Sequence, residues 1–275
     1  MTRLSLRMLG LHLLVALLSS VAFFYSRTVQ SERVLTAPLV NSRLKARKEV
    51  REMTCSEWER FSSTVNEFRQ SGKWDDFANL HTDPKVWEVA HSDNSGLQAA
   101  FLPWHRVYLR RMERELQKID PEVTLPYWNW ALDSENPLNS PVLSEVFFGT
   151  TGTPESSYCV TDGSFKDESN KTCIQRALPS DPGGFLTLVN LKQVLTESPD
   201  YGRFVNRMEN GFGLHGHLHM FLGGNMADLN SPKDPLFYAH HSFVDMLWWR
   251  WQRMHNSKLP CQPHCSQCSV SRQCL

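Results

Sequence analysis

The chain has 275 residues, 41% of them hydrophobic, and its 29 basic residues balance 29 acidic ones. Zero formal charge gives no support to nucleic-acid binding, and the length suits one large domain with a well-filled core and short appendages. Eleven histidines and seven cysteines are unusual counts. This cysteine usage fits an oxidising compartment, and an odd total leaves one thiol free or shared between chains.

The N-terminus agrees with that compartment. Arg3 and Arg7 precede an apolar run from Leu9 to Tyr25. Residues 1–28 read as a secretory signal peptide, with an uncleaved membrane anchor as the alternative. Residues 29–52 are polar and basic and read as a linker or pro-segment. Ser56 and Glu59 form a capping-box pattern ahead of a helix carrying Trp58, Phe61, Val65 and Phe68. Ser71-Gly72 ends it. A second helix runs from Trp74 to Leu80 and reaches His81, and Asp83-Pro84 breaks it. Residues 85–97 show no clear period, and Asn94-Ser95-Gly96 marks a turn.

The pattern is clearest from Phe101. Pro103 is tolerated in a first helical turn. His105, Tyr108, Met112, Leu116 and Ile119 then follow a three-to-four spacing, which puts His105 on the buried face. Asp120-Pro121 terminates that helix. Residues 133–186 are rich in Pro, Gly and Ser and read as loops. Within them Cys159 and Cys173 bracket the sequon Asn170-Lys171-Thr172 and could pair locally. Residues 185–209 hold one more helix, containing either Leu191 to Leu195 or Tyr201 to Met208. Asp234-Pro235 opens the last long helix, through Trp251 towards His255. Cys261, Cys265, Cys268 and Cys274 then mark residues 256–275 as a short Cys-rich tail.

Three of these stretches share a chemistry. Phe101 stands four residues before His105, and Phe237 four before His241. That spacing stacks a ring over an imidazole on one helix face. His215 and His219 are also four apart. Inward histidines from several helices are how a bundle holds metal. His240 and His241 differ by about 100° of helix rotation, so both cannot face one metal equally. A lone buried histidine is usually a core residue, the reading given to His12, His217, His240, His255 and His264.

Residues 101–113 resemble the first copper-binding segment of the tyrosinase, catechol oxidase and hemocyanin group, and residues 215–224 with 234–245 resemble its second. Pro126-Tyr127-Trp128-Asn129-Trp130 resembles the segment after the family's first copper helix. The resemblance covers residues 53–255. It implies a mainly α fold, a four-helix bundle holding a dinuclear copper centre, with His81, His91 and His105 on one ion and His215, His219 and His241 on the other. His91 is the loosest match, because the gap from 91 to 105 is longer than the family's usual one. Phe237 resembles the ring that gates the metal pair, and Asp245 is an acceptor able to orient an imidazole. Glu209 stands upstream of the His-x-x-x-His element, where the family has a glutamate that helps hold a water.

The implied activity is oxidation of phenols and catechols to ortho-quinones, with two copper ions as cofactor and dioxygen as co-substrate. The family pairs its glutamate with an asparagine after the first histidine of the element. Here that residue is Gly216, which favours diphenol oxidation over monophenol hydroxylation. No cysteine lies between Cys55 and Cys159, so the thioether some members carry on their second histidine is absent. About twenty residues follow the last helix, too few for the plugging domain of several members, so the expectation is either an open site or a fragment of a longer chain. The implied partners are a small phenol and dioxygen, with a membrane only if the N-terminal run stays as an anchor. A hemocyanin-like oxygen carrier, a zinc hydrolase and a copper-binding pseudoenzyme are the rival readings.

Overall fold

The computed structural model describes residues 45–91, 100–166, 173–181, 186–209 and 213–255. The N-terminal apolar run, the Asn94-Ser95-Gly96 turn, the sequon and the Cys-rich tail lie outside those residues. Eight α-helices appear among the described residues, joined by short 3-10 turns, and the only β pairings are the isolated bridges Glu49–Tyr127 and Cys159–Gln175. No described helix is long and apolar enough to cross a membrane.

Helix α1, Cys55–Gln70, does open on a capping box, but one formed by Thr54 and Glu57. The pattern at Ser56 and Glu59 was two residues late. A capping side chain must sit on extended backbone just outside the helix, and Thr54 does so while Ser56 is already in the first turn. The stripe Trp58, Phe61, Val65 and Phe68 is buried as its spacing predicts. Gly72, at φ +78°, takes the left-handed turn that favours glycine and leads directly into α2, Lys73–Thr82. Asp83 is extended, and Pro84 then starts α3, Pro84–His91, rather than ending order there. Proline's fixed φ suits the first position of a helix. This corner carries His81 on one short helix and His91 on the next.

Helices α4, Phe101–Ile119, and α8, Leu236–Met254, form the centre. Arg106 on α4 reaches Asp245 on α8 at 2.5 Å and lies 3.8 Å over the Trp248 ring. Residues 46–52 are not the expected linker. Arg47 pairs with both Glu113 and Asp245, at 3.2 Å each, and Val50 is fully buried. Their polar composition hid a single apolar anchor and a charge clamp. Asp245 is therefore spent on two arginines and does not orient an imidazole.

The stretch 185–209 holds both of the helices it offered as alternatives, α5, Leu188–Thr196, and α6, Tyr201–Glu209. The indole of Trp251 donates to the Ser198 carbonyl between them, at 2.7 Å. Helix α7, Leu214–Leu222, follows. The loops after α4 are fastened twice. Cys159 and Cys173 form a disulfide, and Arg176, fully buried, pairs with fully buried Asp234 at 2.9 Å. Arg176 also donates to the carbonyls of Gly149 and Thr150, at 2.7 and 3.0 Å, while Asp234 accepts from the first amide of α8, that of Leu236, at 2.9 Å. Cys55 is an exposed free thiol.

Candidate metal centre

Helices α2, α3 and α4 bring His81, His91 and His105 into one cluster, and α7 and α8 bring His215, His219, His240 and His241 into another. Four of these imidazoles rest Nδ1 on a fixed acceptor. His81 faces the Leu229 carbonyl at 2.7 Å, His105 the Phe101 carbonyl at 2.8 Å, and His219 the Met226 carbonyl at 2.6 Å. His91 faces Oε1 of Glu209 at 2.9 Å.

A carbonyl accepts only, so His81, His105 and His219 must carry their hydrogen on Nδ1 and present a bare lone pair on Nε2. Their Nε2 atoms converge with those of the other histidines. Nε2 of His81 lies 3.2 Å from Nε2 of His91, and Nε2 of His241 lies 3.2 Å from Nε2 of both His215 and His219. Nε2 of His105 is buried with no hydrogen-bond partner. A cation within each cluster would satisfy these buried nitrogens together, including Nε2 of His105. Oriented neutral imidazoles are ligands for copper, zinc or iron, so the residues present fit the metal pair the resemblance implies.

Electrostatics agree. Burial is the first cause holding these imidazoles below their ordinary 6.5, His91 at about 3 and His219 at about 4. They are uncharged, as ligands must be. Burial also pushes the Glu209 carboxyl up to about 9.

The spacing argument selected His241 over His240, and His241 is the one whose Nε2 meets two neighbours. His240 lies flat against His215 instead, centroids 5.3 Å apart. His91, the loosest match, is in the cluster with His81 and His105. His217 is half-buried and in neither cluster.

Two phenylalanines enclose the histidines. Phe101 lies 4.7 Å from both His105 and His215, and Phe237 lies 4.0 Å from His241 and 5.5 Å from His81. Phe237, expected as the gate, is fully buried between the two clusters, against His81, His105, His219 and His241, with Tyr108 and Tyr238 also packed on it.

A cavity of about 300 Å³ reaches His81, His91, His215, His219 and His241. Its other walls include Trp87, Glu209, Gly216, Met220, Met226, Asp228 and Leu229. Trp87 stacks on His91 with centroids 4.1 Å apart. Sequence reasoning missed Trp87, although its four-residue lead over His91 repeats the ring-before-histidine spacing of Phe101 and Phe237. It also missed the carbonyls of Met226 and Leu229, which no side-chain pattern reveals.

Comparison with known proteins follows the same residues. The common central domain of tyrosinase matches residues 71–254. A tyrosinase of Streptomyces antibioticus is 32% identical over 233 residues, covering 77% of this chain and 84% of that protein. Grixazone synthase of Streptomyces griseus is 31% identical over 266 residues, with 77% and 84% covered. Among solved structures, a polyphenol oxidase of Thermothelomyces thermophila superposes with a TM-score of 0.64 at 20% identity, over 85% of this chain and 77% of that one. With the matched region spanning the histidine-bearing helices from α2 to α8, the chain belongs to the tyrosinase family.

Proposed function

We propose that the protein oxidises phenols, catechols foremost, to ortho-quinones with dioxygen. In this reading His81, His91 and His105 hold one copper ion, and His215, His219 and His241 hold the other. The observation that carries it is the convergence of buried Nε2 atoms in two clusters, at the end of a cavity large enough to admit a small aromatic ring. Bound there, the copper pair supplies the redox chemistry, passing electrons from the phenol to dioxygen. For each dioxygen, two catechols give two quinones and two waters.

The protein's own share is geometry and dryness. Three carbonyls and one carboxyl fix the imidazoles, and the two buried phenylalanines keep water from behind them. Trp87, Met220 and Leu229 give the substrate an apolar approach. Glu209 fixes His91 through Oε1, while its buried Oε2 makes no hydrogen bond and lies 3.8 Å from Nδ1 of His215. Replacing Glu209 with Ala is expected to weaken copper at the first site by about ten- to a hundredfold, and Glu209→Gln, which keeps an acceptor oxygen, by less, both read by equilibrium dialysis of the metal-free protein. Unchanged affinity in both variants would remove Glu209 from the support of His91.

A monophenol must lose its proton before it can react, a step that needs a positioned acceptor. Gly216 borders the cavity without a side chain to help. Hydroxylation is therefore slow relative to catechol oxidation. The Gly216→Asn variant is expected to raise the monophenol rate relative to the catechol rate by about tenfold, a modest part of what positioned proton transfer supplies. An unchanged ratio would sink the argument. The direct test is oxygen uptake by the protein loaded with two copper ions. Uptake with catechol supports an oxidase, whereas reversible oxygen binding without turnover would make it a carrier. The Cys159–Cys173 disulfide supports the secretory placement.

A further inference from the structure

The cavity mouth carries a charge that the oxidation chemistry does not use. Asp228 is exposed and lines the opening, and no lysine or arginine lines it among the described residues. The other walls at that end, Trp87, Met220 and Leu229, are apolar.

Asp228 is also held in place. It sits in the segment 226–229, whose two ends touch the two histidine clusters. The Met226 carbonyl accepts from His219 and the Leu229 carbonyl from His81. The Asn225 side chain accepts from the Gln175 amide at 2.7 Å and donates to Asn230 at 3.1 Å, which locks the segment on either side. One oxygen of Asp228 accepts from the Leu229 amide, leaving the other for solvent or ligand. A carboxylate on backbone tied to both clusters keeps one position relative to the reacting ring.

A phenol whose ring enters this cavity must leave its substituent at the mouth. We propose that Asp228 selects substrates by the charge of that substituent, favouring phenols with an ammonium-bearing side chain over those with a carboxylate. The inference rests on the phenol-oxidase reading above. The pull is that of an exposed ion pair, so each charged substituent shifts the apparent affinity by about two- to fivefold, in opposite directions. Being solvent-exposed, the effect fades as salt rises.

The test compares oxygen uptake by the copper-loaded protein with three catechols: 2-(3,4-dihydroxyphenyl)ethylamine, 3-(3,4-dihydroxyphenyl)propionate and uncharged 4-methylcatechol. KM values are taken relative to 4-methylcatechol within each variant. The expected result is a lower KM for the amine than for the acid at low salt, a gap that narrows in high salt. Asp228→Asn, which keeps the acceptor for the Leu229 amide, should close the gap, and Asp228→Lys should reverse it. An acid preferred by the unaltered protein, or a gap untouched by Asp228→Asn, would overturn the proposal while leaving the oxidase reading intact. No uptake with 4-methylcatechol would defeat the oxidase reading, and this inference with it.

Discussion

Replacing Arg176 with methionine is expected to destabilise the protein by about 3–5 kcal/mol, the usual cost of leaving one member of a buried ion pair alone. For a domain of this size that is a fall in melting temperature of about 10 °C or more. Both partners are fully buried. The variant strands the Asp234 carboxylate away from water and removes the donors to the carbonyls of Gly149 and Thr150. Asp234→Ala strands the guanidinium instead and removes the acceptor for the first amide of α8. A double variant, Arg176→Met with Asp234→Leu, should recover part of the loss, since neither charge is then orphaned. Thermal melts followed by circular dichroism decide it. If each single variant cost less than about 1 kcal/mol, the range of an exposed pair, the pair would not be the fastening described.

Acid is the second large lever. The metal-free protein should lose stability steeply as pH falls from about 6.5 towards 4. Eight described histidines, His81, His91, His105, His215, His217, His219, His240 and His241, have values lowered by burial. The unfolded chain takes up protons near 6.5, but folded His91 refuses one until about 3. The unfolded state therefore gains as pH drops, and stability present above 6.5 is lost on the way down. His91 alone accounts for on the order of 3–5 kcal/mol. Glu209 works the other way. Its raised value favours the folded state below the ordinary carboxyl range, and that contribution is lost as pH rises through about 9. One carboxyl does not offset eight imidazoles, so the net slope is towards acid instability. A melting temperature that is flat between pH 7 and pH 5 would contradict it. Copper should flatten the curve while it stays bound, because it stabilises only the folded protein.

Much of the frame was legible in the sequence, for physical reasons that differ by element. Helices α4 and α8 are long, strongly patterned and bounded by Asp-Pro pairs, and the ring-before-histidine spacing put His105 and His241 on their buried faces. The corner between α2 and α3 was harder. Eight residues are too few to show a period, and Pro84 reads equally as a stop or a start. Residues 46–52 were misread because a clamp such as Arg47 on Glu113 and Asp245 joins groups far apart in the chain. The same distance concealed the true partners of Asp245. The full burial of Phe237 was not legible, since spacing gives a face and not a depth. The cavity mouth depends on the path of a loop, and loop paths leave little trace in residue pattern.

The way the imidazoles are held has an evolutionary consequence. Three of the four anchored rings lean on main-chain oxygens, those of Phe101, Met226 and Leu229. Every amino acid supplies such an oxygen, so substitutions at 226 and 229 can alter the wall facing the substrate without removing the rest beneath the ring. His91 leans on a side chain, and a single codon change at Glu209 removes that support. The centre thus pairs a lineage's freedom to explore new substrates at its doorway with one inherited weak point, and drift in this family should spare position 209 long after it has rewritten 229.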